Sequence, residues 1–132
     1  MENRDTYNTS KNNNQAMSYE DIIEKLESIS IRFQSYTDYP QSATNNAKRA
    51  RKWKEENGSD CGSRIGWTRS AQLADRKPIS RDTIARMASF KRHQQNKDVP
   101  YSEGCGGLMW DAWGGTSGIE WAIRKLKQID SQ

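Results

Sequence analysis

The chain has 132 residues, yet it holds a single histidine, two cysteines, three prolines and no long apolar run. A bilayer-crossing helix takes roughly 20 apolar residues, and no stretch approaches that. The polar N-terminus also lacks the apolar segment of a secretory signal. Together these absences predict a protein made and kept in a cytoplasm. Cys61 and Cys105 do not make a disulfide framework, and the lone His93 leaves too few soft ligands for a structural zinc site. No metal and no cofactor is therefore expected. Hydrophobic residues make up only 33% of the chain, with a mean hydropathy of -1.10. This composition supports one modest core with part of the chain outside it. Sustained alternation and β-branched enrichment are missing too, which removes the strand signal and predicts an all-α fold.

What the chain has is unevenly placed charge. Residues 1–42 carry 4 basic and 7 acidic side chains, residues 43–97 carry 14 and 5, and residues 98–132 carry 3 and 5. The formal net charge of +4 thus hides a strongly basic middle.

Residues 1–17 are rich in Asn, Thr, Ser and charge and bury nothing, so they read as a disordered tail. Residues 18–42 read as an amphipathic helix and linker. Ser18 opens an S-x-x-D start, and Ile22, Leu26, Ile29 and Phe33 follow at helical spacing over about 19–35. Pro40 ends this segment in loop composition. Residues 43–132 read as a compact helical domain with glycine-rich turns. Its helices are predicted at about 43–56, 67–74 and 80–95, with Ser80 as N-cap, and a final one starts at a Ser117/Glu120 capping box. That last helix presents Ile119, Ala122, Ile123, Leu126 and Ile129 on one face.

The basic segment suits phosphate contact through Lys48, Arg49, Arg51, Lys52, Arg81, Arg86 and Arg92, because clustered cations attract polyanions whatever their sequence. A solvated basic face is the plainer alternative. Helix 67–74, a turn and an Arg-rich helix also have the outline of a helix-turn-helix, with Arg81, Asp82, Arg86 and Ser89 facing outward, although the connection is longer than usual. The five tryptophans suit core packing, and stacking on unpaired bases is the alternative. Gly114-Gly115-Thr116-Ser117-Gly118 precedes a helix start but lacks P-loop spacing and a following Lys, so it reads as a structural turn. No family signature surrounds a Cys61 or Cys105 pairing with His93, and the carboxylates lack paired catalytic spacing. The chain is expected not to be an enzyme.

The run S-R-D-T-I-A-R-M-A-S-F-K-R-H from Ser80, followed by W-G-G-T-S-G-I-E-W-A from Trp113, resembles a small domain encoded by tailed bacteriophages and prophages, found alone or attached to structural, head-associated proteins. The resemblance spans about residues 44–130. It implies origin more than mechanism: a phage accessory protein in the host bacterial cytoplasm, or one incorporated into the particle. The loop after His93 departs from the pattern, since Val99-Pro100 follows quickly. The leading expectation is a non-enzymatic, virion- or head-associated accessory protein whose basic helical face binds nucleic acid or a structural protein partner. The alternatives are a helix-turn-helix-like DNA-binding regulator and a protein-interaction or oligomerisation module using Ile22, Leu26, Ile29 and Phe33.

Overall fold

The computed structural model describes residues 17–132, including every side chain except those of residues 27–33. The predicted tail, apart from Met17, and the side chains of Ile29 and Phe33 lie outside this description. The described residues form six α-helices: α1 Tyr19–Phe33, α2 Gln41–Asn57, α3 Arg64–Ala74, α4 Arg81–Ser89, α5 Gly106–Ala112 and α6 Gly115–Asp130. A 3-10 helix covers Phe90–Asn96. Ser35–Tyr36 (β1) and Ile79–Ser80 (β2) pair antiparallel, Ser35 with Ser80 and Tyr36 with Ile79. The all-α expectation holds. The chain divides into a first unit ending at Arg32 and a second running from Phe33 to Gln132.

In the first unit, Ser18 starts α1 as its sequence suggests. The Ser18 hydroxyl accepts a hydrogen bond from the Asp21 backbone N–H at 3.1 Å, filling one of the donors a helix start leaves free. Ile22, Ile23 and Leu26 are exposed along this helix.

The second unit is organised around α2, which packs against α3, α5 and α6, while α4 packs mainly against α6. The reason lies in side-chain size. α2 buries Ala43, Thr44, Ala47 and Ala50, small residues at helical spacing that let neighbouring backbones come close. At Gly118 an added Cβ would stand 2.9 Å from the Ala43 Cβ, so glycine permits this crossing of α6 over α2. Leu73, Ile84, Met87, Leu108 and Ile119 fill the centre, and Trp110, Trp113 and Trp121 are buried beside them. The Trp121 ring meets Tyr39 edge to face, with centroids 5.8 Å apart.

Three local expectations are corrected. The final helix starts at Gly115, not at the Ser117/Glu120 box, because Gly114 (φ 107°) and Gly115 (φ 67°) turn the chain into the helix early. Ser117 then lies inside the first turn, where its hydroxyl accepts from Ser42 Oγ at 2.6 Å, and Glu120 pairs with Lys91 instead. The helix from Ser80 is α-helical only to Ser89 and tightens to 3-10 geometry beyond. The segment before α2 is more than a linker: it contributes β1, and Tyr39 is fully buried, donating its hydroxyl to the Lys77 carbonyl at 2.7 Å.

Candidate nucleic-acid interface

α2 and α3 form a helical hairpin closed by residues 58–63, and an open groove of about 940 Å³ runs between them. Two hydrogen bonds tie its sides together. Arg51 donates from Nη1 to the Trp67 carbonyl at 2.8 Å, fastening the α2 wall to α3. Trp67 donates from Nε1 to the Cys61 carbonyl at 2.8 Å, fastening α3 to the connecting loop. Ser63 makes the sharp entry into α3 possible, its hydroxyl accepting from the Gly66 N–H at 3.1 Å.

The loop is also anchored covalently. Cys61 and Cys105 form a disulfide with Cα atoms 5.5 Å apart, joining the groove's end to the start of α5. This differs from the reading of the two cysteines as outside any disulfide framework. Residues 44 apart in sequence signal no pairing on their own, and only the packing of α5 against α2 brings them together. With both sulfurs bonded, neither is a free thiol for His93, whose ring rests instead against Phe90.

The groove is basic. Lys48, Arg51, Lys52, Lys54 and Arg64 line it against two carboxylates, Glu55 and Asp60. Trp67, Ala71 and Ala74 also line it. The Lys54 ammonium lies 5.3 Å above the Trp67 ring, a cation–π contact. Lys52 has Glu56 one turn on at 3.8 Å, an exposed pair of little strength. Among the described residues, no carboxylate lies within ion-pair distance of Lys48 or Arg64.

Of the seven cations singled out in the sequence, the groove brings together three: Lys48, Arg51 and Lys52. Arg49 turns toward α5, bonding Asn46 Oδ1 at 2.7 Å and Asp111 at 3.4 Å. Arg81 grips Asp130 through two bonds of 2.8 and 2.7 Å, which ties the start of α4 to the end of α6. Arg86 and Arg69 share Asp82, at 3.1 and 3.0 Å. These guanidinium groups hold the Asp82 carboxyl below its ordinary range, as Arg81 does for Asp130. Arg92 is exposed on the 3-10 helix, donating to the Ser89 carbonyl at 3.3 Å.

The outer face of α4 is therefore largely engaged within the molecule: Arg81 and Arg86 hold carboxylates, and Ser89 bonds back to the Arg86 carbonyl. α3 rests on α2 and α4 on α6, with residues 75–80 and the β2 pairing between them.

Lys54 and Arg64 are the groove cations not singled out in the sequence for phosphate contact, whereas Trp67 is one of the tryptophans read there as core, with base stacking as the alternative. Lys54 was legible from its place among the α2 cations. The approach of Arg64 and Trp67 to those cations was not, because it depends on the hairpin returning over α2.

Among the described residues no group of three or more His, Cys, Asp or Glu side chains is placed to hold a metal ion, and no helix is long and apolar enough to cross a membrane. Comparison with protein-family models, with curated proteins and with solved structures found no match.

Proposed function

We propose that this chain is a non-enzymatic accessory protein of tailed bacteriophage that binds nucleic acid through its phosphates, at the basic groove between α2 and α3. The observation that carries the reading is the gathering of five cations, from two helices, around a groove with only two carboxylates. Such a concentration of one sign attracts a polyanion and releases its counterions on binding. The phage setting, in the host bacterial cytoplasm or within the particle, rests on the Ser80–His93 and Trp113–Ala122 motifs.

The test is fluorescence-polarisation binding to labelled DNA from about 50 to 200 mM salt, where the log–log slope is about -0.9 per phosphate neutralised on duplex. Each of Lys48→Ala, Lys52→Ala and Lys54→Ala should reduce that slope by about 1, while Arg92→Ala should leave it unchanged. No binding at the lowest salt overturns the nucleic-acid reading. Absence of the protein from purified particles overturns the virion part.

A second reading, an oligomerisation module, draws on the exposed Ile22, Ile23 and Leu26 of α1. Ile22→Ser with Leu26→Ser should then lower the mass in solution, and an unchanged mass removes it. The regulator reading has less support, because the α4 cations it needs are held by Asp82 and Asp130.

A further inference from the structure

Phosphate attraction alone does not use the aromatic ring that lines the groove. Trp67 is held at both ends, by Arg51 on its carbonyl and by the Cys61 carbonyl on its indole nitrogen. The core tryptophans 110, 113 and 121 are buried, whereas Trp67 stays part-exposed in the groove, beside Ala71 and Ala74. A held aromatic ring among the cations that line a groove is matched by a ligand that has both phosphates and free base faces. Duplex DNA offers phosphates but keeps its base faces stacked inside, whereas a single strand offers both along one line.

We propose, resting on the nucleic-acid reading above, that the groove prefers single-stranded nucleic acid, with one base stacked on Trp67 and the flanking phosphates on Lys48, Lys52, Lys54 and Arg64. Lys54 is the part that moves. Its ammonium covers the indole in the free protein, and an arriving base takes that place while the ammonium passes to the adjoining phosphate. The cation–π contact given up lies between two part-exposed side chains, and a charge-assisted phosphate contact replaces it. The ring itself needs no rearrangement, because its bond from Nε1 to the Cys61 carbonyl already holds it.

The experiment uses the full chain and three probes of equal phosphate number: oligothymidylate, an abasic strand and a duplex. Oligothymidylate should bind about tenfold tighter than the abasic strand, the worth of one stacked base, and tighter than the duplex. Trp67→Leu should bring oligothymidylate affinity down to that of the abasic strand, and Trp67→Phe, which keeps an aromatic face but loses the bond to the Cys61 carbonyl, should retain part of the preference. Thermal midpoints check that both variants fold. If the leucine variant does not, the probe comparison on the unmodified protein decides alone. Equal affinity for all three probes, or tighter duplex binding, overturns the stacking inference and leaves the phosphate reading standing. Binding to none of them overturns both.

Discussion

Arg76 shows how much one side chain can hold when its surroundings define it. Its backbone takes a positive φ of 55°, a conformation glycine favours. Its guanidinium donates to Thr44 Oγ1 at 2.9 Å and to the Tyr39 carbonyl at 3.0 Å, and lies 4.4 Å over the Tyr39 ring. Thr44 and Tyr39 are themselves buried, so this one residue joins the turn after α3 to the start of α2. Arg76→Ala should destabilise by about 1–3 kcal/mol through loss of these charge-assisted bonds, read as a lower urea midpoint. Tyr101 makes a second such test. Burial, and then the Asp111 carboxylate that accepts a hydrogen bond from its hydroxyl, push the phenol up to about 12. The folded state holds this proton more tightly than the unfolded chain. Its contribution is therefore complete below pH 10 and lost as pH rises toward 12. Tyr101→Phe should flatten the fall in thermal midpoint across that alkaline window. In the core, Trp121→Ala should lower stability by about 3–5 kcal/mol, since the ring is buried against Tyr39; an unchanged thermal midpoint would contradict that packing.

At the scale of elements, what holds the groove's loop is a bond between distant segments. Reducing Cys61–Cys105, or replacing both with serine, releases a cross-link spanning 44 residues. By loop-closure entropy this should lower stability by about 2–4 kcal/mol, measured as the shift in urea midpoint with and without reductant. An unchanged midpoint would mean that the Trp67 bond and the Ser63 cap hold the loop without it. The same contrast explains what was legible in the sequence. Ser18 and Ser80 start their helices as read, because a cap acts over three residues, and the Ala43–Ala47–Ala50 stripe of α2 follows from helical period alone. The Ser117/Glu120 box has the right spacing and the wrong outcome: Gly114 and Gly115 take the helix start, and tertiary partners claim both side chains. Half of the candidate site was legible in the same sense. The α2 cations show in the sequence, while Arg64 and Trp67 become their neighbours only through the hairpin.

At the scale of the whole molecule, two groups of charge stand out among the described residues. One is tied into the fold: Arg81 with Asp130, Arg69 and Arg86 with Asp82, Lys91 with Glu120, and Lys125 with Asp38. Several of these pairs bridge α6 to distant parts of the chain. The other group lines the α2–α3 groove, where cations outnumber carboxylates. This division explains why counting basic residues along the sequence overstates the cations gathered at the groove: Arg81 and Arg86 belong to the first group although they lie in the most basic stretch. It also sets the acid response. Hydrogen bonds from Arg86 and Arg69 lower Asp82, that from Arg81 lowers Asp130, and that from Lys91 lowers Glu120, from ordinary values of 3.8, 3.8 and 4.5. A depressed carboxyl binds its proton less readily in the folded state than in the unfolded one. The stability it adds is therefore present above its ordinary value and lost as pH falls through the lower, folded value. The thermal midpoint should hold on the neutral side of about pH 5 and decline below it, with Asp82→Asn reducing the decline. Because these pairs are exposed, added salt should weaken the effect. If the acid decline is the same in the asparagine variant, the Arg69–Asp82–Arg86 cluster does not contribute to it, and Asp130 and Glu120 carry the response.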